Sequence, residues 1–212
     1  MKNYYFTVIE CGYDSNFTYL IGDPESKELA FIDCAERFEI LEKHLKIAFD
    51  QGYTKLSKVF VTHGHHDHVM SLKEIKEKYN PTIYCHMAEY ERLIKQNKVE
   101  IDEFIEDRQI LSLGKQELKT FHTPGHQASS ICFVWQNKLF TGDTLFVGAC
   151  GRHDLPGGNA NELLESLKFL ATTDELSCDL EVRSGHNYGF KPYTNLAYER
   201  KNNPHLIGFK HK

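Results

Sequence analysis

No two cysteines in this 212-residue sequence stand as C-x-x-C, although it holds six: Cys11, Cys34, Cys85, Cys132, Cys150 and Cys178. That absence excludes a zinc ribbon or a thioredoxin-type pair, and free, buried thiols become the expected state. No long Lys/Arg block occurs, and the net charge is −5 with histidines neutral. Neither nucleic acid nor an anionic membrane is therefore expected as the main partner. No apolar run approaches the length of a membrane span, and the opening "MKNYYFTVIECGYDSNF" holds no apolar leader core. The expectation is a cytoplasmic protein. Low-complexity segments and linkers are missing too, so residues 1–212 are read as a single domain long enough to bury a substantial core.

What the chain has in excess is histidine, with twelve copies. Four of them, His63, His65, His66 and His68, surround Asp67 in "FVTHGHHDHV". The flanking pattern is mixed. "YYFTVI", "FTYLIG" and "LAFIDC" read as short strands separated by the turn-like "YDSN" and "GDPESK". Phe38, Leu41, Leu45 and Phe49 recur at helical spacing up to Gly52, a C-terminal stop. "KVFVT" predicts a strand, Val69, Leu72, Ile75 and Tyr79 a helix, "TIYCH" a strand and "MAEYERLI" a helix. The later half follows the same alternation. There "ELKTFH" predicts a strand, "SSICFVWQNKLFTGD" a hairpin turning at Gln136–Asn137, "NELLESLKFL" an Asn-capped helix, and "LEVRSGH" a last strand. Strands with interleaved helices, twice over, predict two sheets between helical layers.

The polar residues fall at strand ends. "FVT" leads into His63, "FHTPG" into His126, "LFTG" into Asp143 and "EVRSG" into His186, with glycine beside each. Strand ends are where a rigid scaffold hands side chains to a shared site, and glycine permits the tight turns. Imidazole and carboxylate together suit zinc, iron or manganese, and a carboxylate can bridge two ions. The bland alternatives are a solvated histidine-rich loop and a turn carboxylate at Asp143. Four strand-end placements in one chain outweigh them.

In this order, "THGHHDH", "HTPGH", "GDT" and a late "GH" resemble the signature of the metallo-β-lactamase superfamily over roughly positions 1–205. The resemblance implies an α/β (α+β) fold, the αββα four-layer sandwich. It also implies two divalent metal ions, zinc foremost, with iron or manganese as alternatives. His63, His65 and His126 would hold the first, Asp67, His68 and His186 the second, with Asp143 bridging; His66 occupies a variable slot.

Within that superfamily, Asp143 stands where common zinc β-lactamases carry cysteine, which argues against an antibiotic-hydrolysing role. The stretch "GDTLFVGACGRHD" resembles two thiol-related branches, glyoxalase II (hydroxyacylglutathione hydrolase) and the persulfide dioxygenases. The pair Arg152 and Asp154 is nearer the dioxygenase pattern, and the helical region that glyoxalase II carries after this point is largely missing. The expected activity is hydrolysis of a thioester of the glutathione class, or a related ester, by metal-bound hydroxide that Asp67 orients. The alternative is a mononuclear Fe(II) persulfide dioxygenase using His63, His126 and Asp143, with His65, Asp67 and His68 left metal-free. Either implies a small thiol-derived substrate such as a glutathione conjugate, with Arg152 and Asp154 as substrate-binding residues. A salt bridge between those two that only fixes the loop is the competing reading. Tyr188, Lys191 and Tyr193 are equally compatible with pocket or surface. A metal-binding scaffold without turnover is the third reading, disfavoured because every ligand position is intact.

Overall fold

The computed structural model describes residues 4–12 and 14–209. Tyr13, in the expected "YDSN" turn, and both ends of the 1–212 span lie outside the described residues. Strands β1 (Tyr5–Glu10), β2 (Phe17–Asp23) and β3 (Glu28–Ile32) form an antiparallel meander. Helix α1 (Phe38–Asp50) then leads to β4 (Lys55–Phe60), and α2 (Leu72–Tyr79) to β5 (Thr82–His86). The last of this set is β6 (Glu103–Ile105); β3 to β6 run parallel, and the six strands lie in sequence order. The second sheet takes β7 (Ile110–Leu113), β8 (Gln116–His122), β9 (Ile131–Trp135), β10 (Lys138–Gly142), β13 (Glu181–Ser184) and β14 (Thr194–Asn195). Its order is β14-β13-β10-β9-β8-β7. A small hairpin, β11 (Leu145–Phe146) and β12 (Ala149–Cys150), precedes α4 (Ala160–Thr172), and α5 (Leu196–Asn202) follows β14.

Period-two alternation in the strands sorts the core into layers. Phe17, Tyr19 and Ile21 of β2 meet Phe133, Trp135 and Phe140 between the sheets. Leu20, facing the other way, packs with Leu41, Leu45 and Ala48 of α1 and Leu72 and Ile75 of α2. On the outer face of the second sheet, Phe121, Leu139 and Val182 cover Leu163, Leu167 and Leu170 of α4. Three apolar interfaces between four layers of secondary structure make the αββα sandwich. Each buried Leu or Phe adds about 1.5–3 kcal/mol.

Local signals act where expected. Gly52 (φ +93°) follows α1, and the Asn159 side chain caps α4 by accepting from the backbone N–H of Asn161 and Glu162. Trp135 pairs with Lys138 across Gln136–Asn137, with Gln136 at φ +55°. The helix expected at "MAEYERLI" is broken instead: a 3-10 turn Met87–Glu89, one turn α3 (Tyr90–Arg92), then a π turn Leu93–Asn97. Of its apolar side chains only Leu93 is fully buried, too little packing to impose one regular winding. Four sequence-remote strand ends meet at one edge of the sandwich, where backbone hydrogen bonds join the sheets. Ile131 N–H donates to Thr62 O (2.9 Å) and Phe17 N–H to Gly185 O (2.7 Å).

Candidate metal centre

At that edge the expected ligands converge. After β4 the chain runs through His63 and His65 into a single 3-10 turn, His66–His68, which carries Asp67 and His68 inward. His126 follows β8, Asp143 follows β10 and His186 follows β13. Three groups bring one donor atom from each member within 4.8 Å of one another: His63, His65 and His126; His63, His68 and Asp143; Asp67, His68 and His186. His66 joins none of these groups.

Glycine is required where neighbouring segments approach closely. A Cβ on Gly185 would stand 2.2 Å from Asp143 Oδ1, and one on Gly125 (φ +131°) would stand 2.1 Å from the Leu163 backbone nitrogen.

The ring nitrogens facing away from the centre are spoken for. Thr62 Oγ1 donates to Asp33 Oδ2 (2.7 Å), so it receives the His63 Nδ1–H at 3.1 Å. His126 Nδ1–H donates to the Arg152 carbonyl (2.7 Å) and His186 Nδ1–H to the Asp14 carbonyl (2.9 Å). His68 Nδ1 bonds Asp33 Oδ2 at 2.8 Å. The Gln127 amide nitrogen contacts His65 Nε2 (2.8 Å) and donates to the Pro156 carbonyl. With outer nitrogens protonated, the Nε2 atoms of neutral His63 and His126 are bare lone pairs. They lie 3.0 and 2.9 Å from His65 Nδ1. Fixing the outer nitrogen in this way is how metal-binding imidazoles are oriented.

Charge completes the fit. Burial, then the neighbouring His68 charge, pushes the His63 pKa well down, and burial with His126 lowers His65 to about 4. Burial opposes a charge on His68 and His186 too, but carboxylates outweigh it. Asp143 and Asp33 raise His68 well above its ordinary value, and Asp143 and Asp67 raise His186 to about 9. Buried Asp143 keeps its anion despite desolvation because these imidazoles surround it. Its Oδ1 is buried and makes no well-formed hydrogen bond among the described residues. An anionic oxygen that faces His68 Nε2 at 3.3 Å without a well-formed hydrogen bond, beside the bare nitrogens of His63 and His126, completes a donor set that fits divalent ions.

The centre opens into a cleft of about 530 Å³ whose wall includes Asp14, Phe146, Cys150, Arg152, Leu155 and Tyr188. Tyr188 stacks on His186 at 4.5 Å between ring centroids and donates from its hydroxyl to Asp14 Oδ2 (2.6 Å). Arg152 and Asp154 pair with each other on the exposed rim, Nε to Oδ1 at 2.7 Å and the guanidinium to Oδ2 at 2.8 Å. Lys191 and Tyr193 border a different groove, beside Glu181. Sequence reasoning misses Asp33, Gln127 and Asn16. Asp33 alone carries a signal, as a charged residue closing the apolar run "LAFI".

The chain matches the metallo-β-lactamase superfamily over residues 11–176 and belongs to that family. It is 36% identical over 176 residues to a hydroxyacylglutathione hydrolase of Bartonella tribocorum, covering 82% of this chain and 63% of that protein. It thus spans less than two thirds of that relative's length. It is 34% identical over 211 residues to the probable metallo-hydrolase YqgX of Bacillus subtilis, covering 92% and 93% of the two chains. Among solved structures, ETHE1 from Myxococcus xanthus superposes with a TM-score of 0.83 at 27% identity, over 96% of this chain and 85% of that one.

Proposed function

We propose that this chain works as one cytoplasmic domain, a metal-dependent hydrolase of glutathione-class thioesters or related esters that uses two divalent ions, zinc foremost. The observation that supports it most is the place of Asp143 between the two ligand groups. Its Oδ1 lies 3.3 Å from His68 Nε2, and its Oδ2 lies 3.5 Å from His126 Nε2 and 3.2 Å from His186 Nε2. One carboxylate thus reaches both halves of the centre. His63, His65 and His126 would hold one ion and Asp67, His68 and His186 the other, with Asp143 within reach of both groups. A bound ion pair supplies Lewis acidity and hydroxide at neutral pH.

The chain's own residues do the rest. Asp67 lines the cleft while its Oδ2 is held by Asn16 (2.9 Å) and faces His186 Nε2 (3.3 Å). It is placed to orient the attacking oxygen and hold its proton. Arg152, at the rim, presents two parallel N–H groups that a substrate carboxylate can take over from Asp154. Phe146, Leu155 and Tyr188 give the cleft an apolar wall against which a substrate can pack.

The likeness to ETHE1 supports a second reading, a single iron on His63, His126 and Asp143 acting on glutathione persulfide. Two histidines and a carboxylate are the set that non-haem iron oxygenases use. Parallel assays separate the two. The hydrolase releases free thiol from S-lactoylglutathione with no oxygen uptake; oxygen uptake and sulfite from glutathione persulfide, without thioester cleavage, would replace it with the dioxygenase.

A further inference from the structure

Asn16 is wholly buried, and a β-bridge to His186 fixes its backbone at the same strand end as a ligand. Its amide nitrogen lies 2.9 Å from Asp67 Oδ2, 3.3 Å from His186 Nε2 and 3.4 Å from His68 Nε2. Those three atoms are themselves 3.3, 3.3 and 3.6 Å apart. The four atoms therefore form a nearly regular tetrahedron. Edges of about 3.3 Å put its centre about 2.0 Å from every corner, the length of a zinc bond to imidazole or carboxylate. Separations of this size are what donors sharing one ion show. In the metal-free chain the amide nitrogen donates to Asp67 Oδ2, and its longer contacts to the two imidazoles are hydrogen bonds only in the tautomers that leave those nitrogens unprotonated.

The amide's other end carries a second observation. Asn16 Oδ1 is buried and has no hydrogen-bond partner among the described residues. Amide oxygen and nitrogen exchange places by a half-turn of the side chain, and the hydrogen bonds decide which faces where. With no cation between them, Asp67 Oδ2 repels an amide oxygen and draws the nitrogen. A cation reverses that preference, because the amide oxygen is a ligand and the amide nitrogen is not.

We propose that Asn16 is a further direct contact of the half-site formed by Asp67, His68 and His186, and that it turns its amide oxygen to the ion. The inference rests on the two-ion reading. It adds a neutral, hard oxygen to one half-site only, so the two halves differ in affinity and in the ions they prefer.

The test is titration of the metal-free chain with cobalt(II), following visible absorption and competition with a chromogenic chelator. Wild type is expected to take two equivalents. Asn16→Leu, similar in size but without a donor, should keep the first equivalent, bind the second at least tenfold more weakly, and change its absorption band. Asn16→Asp, which keeps an oxygen at that corner, should hold the second equivalent at least as tightly as wild type. Retention of the first equivalent and of the circular dichroism spectrum reports a folded chain, and Asn16→Ala replaces Asn16→Leu if the latter does not fold. An unchanged second equivalent in Asn16→Leu or Asn16→Ala overturns the inference and leaves the two-ion reading standing. So does an Asn16→Asp variant as weak as Asn16→Leu, since donation to Asp67 would then be the residue's role. A wild-type chain that takes one equivalent overturns the two-ion reading itself, and this inference with it.

Discussion

Replacing Asp33 by Asn changes neither size nor the capacity for the left-handed backbone that position adopts (φ +59°). It changes only what the side chain can accept. The buried carboxylate takes three hydrogen bonds: from Thr62 N–H (2.8 Å) on Oδ1, and from Thr62 Oγ1 (2.7 Å) and His68 Nδ1 (2.8 Å) on Oδ2. An amide has one acceptor oxygen, so either orientation turns an NH2 group towards at least one buried donor. Each buried donor left unpaired costs about 1–3 kcal/mol. In the metal-free chain, where burial opposes the His68 charge and Asp143 and Asp33 sustain it, the Asp33 share of that support also goes. Asp33→Asn should therefore lower the unfolding free energy by about 2–5 kcal/mol, out of a typical total of about 5–15. Because Asp33 also steers His63 through Thr62, metal affinity should fall about 10–100-fold, the usual effect of losing such an outer partner. Urea unfolding of the metal-free chain and chelator competition measure the two effects. A variant within about 0.5 kcal/mol of wild type, the ordinary range of surface changes, with unchanged metal affinity would refute the role of Asp33 in holding Thr62 and His68 in place.

His66→Ala should leave metal content and activity near wild type, since His66 lies outside the ligand groups; a large loss by mass spectrometry and assay would mean that the ligands are misassigned. Arg152→Ala should raise KM for an anionic glutathione thioester about tenfold or more, the scale of a lost charge-assisted hydrogen bond, while a small neutral thioester and the melting temperature barely change. Equal losses for both substrates would make the Arg152–Asp154 pair a loop fastening. Gly185→Ala should lower stability by about 1–3 kcal/mol through overpacking against Asp143, with metal lost as well; wild-type values by thermal unfolding and metal analysis would contradict the close approach. His186 has a folded pKa raised to about 9 from 6.5. Its contribution is complete below 6.5 and lost as pH rises through about 9, so the metal-free chain should weaken over that window. Metal uptake at pH 7 should release protons, read by calorimetry in two buffers; no release would count against a protonated His186.

The legible parts of this protein are those whose information is local. Short aromatic and β-branched runs such as "FTYLIG" mark strands through residue types that suit a pleated, buried surface, and Phe38, Leu41, Leu45 and Phe49 mark α1 through helical spacing. Asn159 and Gly52 announce their helix ends through side-chain and backbone chemistry that needs no partner. The candidate ligands stand out because histidine and aspartate immediately after apolar strands have few other uses. What escapes is set by tertiary neighbours. The two-residue strands β11, β12 and β14 exist only because a partner strand lies alongside. Gln127 and Asn16 are ordinary amides until folding sets them against imidazoles 62 and 52 positions away or more. Asp33 looks like a turn residue in sequence, since its three donors come from residues 29 and 35 positions further on. The irregular winding of Met87–Asn97 is hidden for the opposite reason, because the apolar pattern of "MAEYERLI" is helical but little of it finds a core.

The most direct measurement is metal content per chain, by mass spectrometry, for wild type and Asp143→Ala purified side by side without added metal, with thioester hydrolysis assayed on the same samples. If Asp143 joins two ions, wild type should carry about two equivalents and cleave S-lactoylglutathione. Asp143→Ala should stay folded, lose metal and fall nearly to background. A variant with full metal content and full activity would contradict the account, as would a wild-type chain that holds a single iron and consumes oxygen.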